Sequence, residues 1–123
     1  MKLYTKALLI LLLSAWVAAP LRATESLDQT IRYLFDYVAH SNATFIRNDS
    51  SHTPAEAADH IRAKYEHFKD QIKTPQDFIR LSASKSLLSG KPYLVRTADG
   101  KEMRLDEWLT DALKAHRSAP HSG

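Results

Sequence analysis

Two groups of residues in this chain have side chains that could do chemistry. They are its six histidines and the hydroxyl-rich run Ser82-Ala83-Ser84-Lys85-Ser86-Leu87-Leu88-Ser89-Gly90-Lys91-Pro92-Tyr93. Imidazoles invite a metal reading, and spacing tests it. His60 and His67 fall seven residues apart, on roughly one face of a helix, with Glu56 one turn before His60. A zinc-binding helix of the usual kind needs two histidines four residues apart and a third ligand, and here Lys64 stands between the imidazoles, where its ammonium would repel a cation. No metal ligand set and no cofactor is expected.

Nucleophilic catalysis would need a hydroxyl beside a base. Ser84, Ser86 and Ser89 offer hydroxyls, His52 and His60 offer imidazoles, but no Gly-x-Ser-x-Gly elbow surrounds any of them. Hydroxyls where a helix ends more often bond nearby backbone carbonyls or satisfy a turn. No catalytic residue is assigned; a small hydrolase or metal-binding protein using His60 and Ser84 stands as an alternative. Ser84, Lys85, Ser86, Ser89 and Lys91 could also clasp an anion. They fall where a helix is expected to end, and the partial charge of a helix C-terminus is negative, so the run clasps an anion only if its loop folds amides back into a nest.

The elements that must position these residues follow from periodicity. Leu27, Ile31, Leu34 and Val38, with Phe35, predict a helix over Ser26–His40. Ala43–Arg47 is β-branched and aromatic enough for a strand, followed by the turn-rich Asn48-Asp49-Ser50-Ser51. Thr53-Pro54-Ala55-Glu56 and Thr74-Pro75-Gln76-Asp77 both read as helix starts: a Thr to cap, a Pro where no amide donor is needed, an acid in the first turn. The second helix carries Ala57, Ile61, Tyr65, Phe68 and Ile72. The third carries Phe78, Ile79 and Leu81, and Ser89-Gly90-Lys91-Pro92 is expected to stop it. Tyr93–Thr97 and Glu102–Leu105 read as a hairpin around Ala98–Lys101. Asp106 is the expected cap of a last helix bearing Trp108, Leu109, Ala112 and Leu113, and Ser118–Gly123 reads as a tail. The expected class is α+β: about four helices packed with a small two- or three-stranded antiparallel sheet.

Address and size constrain function further. Lys2 and Lys6 precede the apolar run Ala7–Val17, then Ala18-Ala19 and Leu21-Arg22-Ala23, which reads as a secretory signal peptide cut after Ala23. The run is shorter than the roughly 20 residues a permanent span requires, so no stable membrane anchor is expected after cleavage. That leaves residues 24–117 as one domain. The formal charge of +3 vanishes with the leader: without Lys2, Lys6 and Arg22, fourteen basic side chains face fourteen acidic ones. Electrostatic binding to nucleic acid is therefore not expected. The chain has no cysteine, so packing alone must hold the domain.

Phe45-Ile46-Arg47-Asn48, Ala57-Ala58-Asp59-His60-Ile61-Arg62-Ala63-Lys64-Tyr65, Thr74, Phe78-Ile79, Ala83-Ser84-Lys85-Ser86, Ser89-Gly90-Lys91-Pro92-Tyr93 and Trp108-Leu109 together resemble the DUF5329 family. These are small exported bacterial proteins that include the YfeK-like proteins, and the likeness covers about Ile31 to Arg117. It implies a periplasmic domain, lends no established activity, and marks Arg47, Asn48, His60, Arg62, Lys64, Ser84, Ser86, Ser89, Gly90 and Tyr93 as positions of the family pattern. Many relatives carry Cys where Ala43 stands and another near Ser82, which would suit a disulfide. Its absence here implies a function independent of thiol chemistry. Ser89-Gly90-Lys91-Pro92-Tyr93 is also similar to the SG-x-x-Y loop with which some periplasmic lysozyme inhibitors plug the lysozyme cleft. The leading expectation is a non-enzymatic periplasmic module that uses the family-pattern residues to engage an envelope protein or small ligand; lysozyme inhibition through that loop is the first alternative.

Overall fold

The computed structural model of the chain describes residues 24–119. The expected signal peptide and residues 120–123 of the expected tail lie outside the described residues. The described part has four α-helices, α1 (Leu27–Ala39), α2 (Pro54–Phe68), α3 (Pro75–Ser82) and α4 (Leu105–Ser118). It has four strands, β1 (Thr44–Arg47), β2 (Ser50–His52), β3 (Leu94–Arg96) and β4 (Glu102–Arg104), and a 3₁₀ turn at Lys69–Gln71. The class is α+β. The antiparallel sheet has the order β2-β1-β3-β4, so it holds four strands rather than two or three. The additional one, β2, lies in a stretch that composition marks only as a turn.

Helix starts follow the local chemistry closely. Thr53 and Thr74 each accept a hydrogen bond from the amide three residues on, while Glu56 and Asp77 reach back to the cap amides. Ser26 and Gln29 form the same reciprocal pair at α1. Each such cap is worth about 1 kcal/mol. The last helix departs from expectation: its cap position is Arg104, without a side-chain cap bond, and Asp106 already lies in the first turn, paired with Arg104 at 2.7 Å. The chain passes from β4 directly into α4 because the Leu105 amide donates to the Tyr93 carbonyl at 2.9 Å, extending the β3–β4 pairing into the helix start. At its other end α4 takes in Ser118, the first residue of the stretch read as tail.

The helices cover one face of the sheet. Phe45 and Val95, directly paired across β1 and β3, are buried, whereas Thr44, Ile46 and Leu94 alternate to the more open face. Against the buried face pack Ile31, Leu34, Phe35 and Val38 of α1, Ile61 of α2, Phe78 and Ile79 of α3, and Leu109 and Leu113 of α4. Trp108 closes one edge, its ring edge-on to Phe45 and tilted against Tyr37.

One polar atom in this core is unsatisfied. Ser82 is 0% exposed, and its hydroxyl has no hydrogen-bond partner among the described residues. A buried hydroxyl without a partner lowers stability, so Ser82→Ala is expected to raise it by about 1 kcal/mol. Urea denaturation checks this: a midpoint shifted upward at constant slope is the expected result, and an unchanged or lower midpoint contradicts it.

Candidate functional site

Two periodicities bring the candidate residues together. Arg47 follows Phe45 by two residues, and Tyr93 precedes Val95 by two, so both side chains lie on the covered face of the sheet. Because β1 and β3 are antiparallel with Ile46 opposite Leu94, Arg47 and Tyr93 meet at the same end of the ladder. His52, opposite Phe45 on β2, is in phase with them. On α2, His60 and Lys64 are four residues apart and share one face. That face meets the sheet end, and a cavity of about 440 Å³ opens there, lined by Arg47, Asn48, His52, His60, Lys64 and Tyr93 together with Ser50, Ser86, Leu87 and Leu88.

The hydrogen bonds in the cavity floor determine which atoms carry protons. The Arg47 guanidinium donates to His60 Nδ1. A guanidinium has donors only, so Nδ1 is unprotonated and the neutral ring carries its proton on Nε2. His60 Nε2 then donates to the Tyr93 hydroxyl oxygen at 2.9 Å. Lys64 Nζ donates to the same oxygen at 3.2 Å and to the Lys85 carbonyl at 2.6 Å, with its ammonium 4.9 Å from the centre of the Tyr93 ring. Burial, with Arg47, Lys64 and His52 adding positive charge, lowers the His60 pKa to about 4. Burial, and then Lys85, lowers that of Lys64 from its ordinary value. Burial raises that of Tyr93, against the pull of Arg47, so the phenol keeps its proton.

The outer wall is a loop stapled to the β1–β2 turn. After α3 the chain runs back on itself: Lys85 pairs with Pro92, the Tyr93 amide donates to the Ser84 carbonyl, and the Ser86 amide to the Lys91 carbonyl. Gly90, at a φ of 73°, makes the reversal that a side chain would strain. The turn opposite has Asn48 and Asp49 at positive φ, residue types that tolerate this conformation. The Asn48 amide nitrogen donates to Ser86 Oγ at 3.3 Å, and its amide oxygen accepts from Ser89 Oγ at 2.5 Å. Asp49 adds an exposed ion pair with Lys91 at 2.7 Å.

The family-pattern residues therefore separate by role. Arg47, Asn48, His60, Lys64, Ser86 and Tyr93 line the cavity; Ser89 and Gly90 shape the loop behind it. Ser84 turns away and donates to the Arg80 carbonyl at 2.5 Å. Arg62 lies elsewhere on α2, its guanidinium 4.4 Å from the centre of the Phe35 ring. The third helix ends at Ser82 rather than at Ser89–Pro92, so most of the serine run is loop. His52, Leu87 and Leu88 line the cavity without belonging to the family pattern. The pairing of His52 with Phe45 is the signal that identifies it, and the register that supplies it is set by the Asn48-Asp49 turn.

These positions bear on the chemistry the site can perform. Both ring nitrogens of His60 are engaged, by Arg47 and Tyr93, and no hydrogen bond joins His60 to Ser84. A general base needs a free lone pair within reach of a nucleophile, and His60 has none. Among the described residues no three His, Cys, Asp or Glu side chains are grouped to hold a metal ion. In the Ser89–Tyr93 loop, Tyr93 is buried, whereas Ser89 is exposed and its hydroxyl donates to the Asn48 amide oxygen.

Comparison with known proteins adds a family and no activity. The chain is 36% identical over 86 residues to a protein of Salmonella typhimurium (strain LT2) described as uncharacterized protein YfeK, covering 69% of this chain and 68% of that one. No solved structure matches it. The model of the family of unknown function DUF5329 matches residues 25–117, nearly all of the described domain, and the chain belongs to that family.

Proposed function

We propose that this protein is an exported, non-catalytic binding module of the bacterial periplasm, whose ligand occupies the cavity between the β1–β2 hairpin, α2 and the Ser84–Tyr93 loop. Export rests on the leader pattern of Lys2, Lys6 and the apolar run Ala7–Val17. The observation that carries binding is the convergence of Arg47, His60, Lys64 and Tyr93, from two strand ends and a helix, on one concavity. If these residues served only to brace the fold, apolar side chains of the same volume would do so without the desolvation cost of a buried ammonium. Concave sites with a few converging polar groups are where ligands bind.

The test compares the wild-type mature chain with Arg47→Ala and Arg62→Ala. Each is purified from periplasm, measured by native mass spectrometry for co-purifying small molecules, and crosslinked in envelope extract. Arg47→Ala is expected to lose a bound molecule or crosslinked partner that Arg62→Ala, on another part of α2, retains. Identical profiles for all three proteins, with only the melting temperature of Arg47→Ala lowered, would assign the cluster to bracing and refute the binding role.

A further inference from the structure

The cavity floor has more hydrogen-bond donors than the protein has acceptors for them. Arg47 uses one guanidinium nitrogen on His60, and its remaining N–H groups meet no acceptor among the described residues. Lys64 is 7% exposed and places two of its three protons, on the Lys85 carbonyl and the Tyr93 oxygen. Tyr93 accepts from both His60 and Lys64, which leaves its own O–H proton with no acceptor among the described residues. Among the described residues no Asp or Glu lines this cavity. On α2, Glu56 borders the adjoining slot, pairs with His52 at 3.8 Å and bonds the Thr53 amide. Two cations and a phenol thus face one space without a counter-ion among the described residues.

Compensated charge looks different, and the same domain shows it. The broad groove that Lys64 also borders, about 980 Å³, places Asp106, Glu107 and Asp111 among Arg80, Lys85, Arg104 and Lys114, so carboxylates face its cations. The rim of the candidate cavity differs again: Leu87 and Leu88, 66% and 97% exposed, stand beside its mouth. Exposed leucines are ordinary singly; an adjacent pair at the mouth of a cationic cavity supplies an apolar surface next to a charged floor.

We propose, on the footing of the binding role above, that this cavity takes a small anionic amphiphile: a carboxylate or phosphate group held by Arg47, Lys64 and Tyr93, with its apolar portion lying across Leu87 and Leu88. Each surplus donor then gains a charged acceptor, the stronger class of hydrogen bond. The His60 ring stays neutral and serves as a positioning residue, fixing Arg47 on one side and the Tyr93 oxygen on the other. A cavity of this size accommodates a headgroup and a short chain.

The test titrates the mature chain by calorimetry with octanoate, octyl phosphate, octanol, octyltrimethylammonium and inorganic phosphate, all below micelle formation. Octanoate or octyl phosphate is expected to bind one per domain, at least about tenfold more tightly than octanol or inorganic phosphate, with no binding of the cationic analogue. Binding is expected to raise the Lys64 pKa, followed by NMR of the ammonium group. Arg47→Gln is expected to weaken the anion about 10- to 100-fold, and Leu88→Ser to weaken it several-fold, by roughly the loss of a buried side chain's apolar contact, without lowering the melting temperature. Arg47→Gln keeps a donor for His60, so its folding is checked independently of its binding.

Equal affinity for octanol and octanoate would overturn the anionic assignment while leaving the binding role intact. Equal affinity for inorganic phosphate and octyl phosphate would overturn the apolar half. Binding to phosphatidylglycerol vesicles but to no monomeric amphiphile would replace the proposal with membrane docking. Failure of every probe would overturn it outright, and the Arg47→Ala and Arg62→Ala comparison then decides the binding role on its own.

Discussion

Acidification from pH 6.5 to pH 4 is expected to remove about 2 kcal/mol of the domain's stability through His60 alone. In the unfolded chain this imidazole titrates at its ordinary 6.5; in the fold burial and the charges of Arg47, Lys64 and His52 hold it near 4. Between those values the unfolded state binds a proton that the folded state refuses, so stability falls as pH falls. Above 6.5 both states are neutral and the contribution is constant. Each tenfold change in proton affinity is worth about 1.4 kcal/mol, and the ring's partial contact with solvent reduces the full sum to the figure above. The window also separates this loss from that of the carboxylates: the pKa values of Glu56, Asp77 and Asp99 are lowered by hydrogen bonds to their caps and turns, so their protonation acts further down.

His60→Gln isolates the effect. A glutamine amide can accept from Arg47 and donate to Tyr93, as the neutral imidazole does, but it does not titrate. Urea denaturation at pH 7, 6, 5 and 4 is expected to show a steep fall for the wild type and a nearly flat course for His60→Gln down to pH 4. Parallel curves for the two proteins would show that His60 is not the group responsible.

Phe78→Ala is expected to cost about 3–5 kcal/mol, a large part of the roughly 5–15 kcal/mol that holds a domain of this size together. Phe78 is 1% exposed and sits where α1, α2 and α3 meet, its ring edge-on to Phe35 at 5.2 Å and to Tyr65 at 5.7 Å. Truncation opens a cavity among three elements that cannot all close on it, and it removes two aromatic contacts. Phe78→Leu keeps most of the volume and is expected to lose less than about half as much. The urea midpoint measures both, and a loss below about 1 kcal/mol for Phe78→Ala would mean that the core collapses freely around the site.

Much of this fold was legible because it is local. Thr53 with Glu56 and Thr74 with Asp77 announce helix starts within four residues, and the caps form as their chemistry dictates. The apolar stripe of Ile31, Leu34 and Val38 marks α1 by its period. Where local signals misled, a non-local contact had prevailed. Gly90 looks like a helix stop, yet α3 ends at Ser82 because Ser84–Tyr93 pairs with itself and is stapled by Asn48, some forty residues earlier. Ser50-Ser51-His52 carries no strand pattern, and only the turn before it and β1 beside it make it one. The site was legible as a set of residue types and not as a place. Arg47 and Tyr93 meet through the β1–β3 register, which no short window contains, while Arg62, two residues from His60, points to Phe35 instead.

The central ladder of the sheet joins Thr44 to Arg96 and Ile46 to Leu94, so β1 waits for a partner made near the end of the chain. As the chain emerges from a ribosome, its first half carries, of the sheet, only the β1–β2 hairpin, and a lone two-stranded hairpin is at best marginally stable in water. Closing so long a loop is slow, and the apolar face of β1 stays uncovered while it does. The cavity takes lining residues from both halves, Arg47 to His60 from one and Lys64 to Tyr93 from the other, so it is complete only once β3 has docked on β1. An incomplete or truncated chain has no partial version of the site to offer.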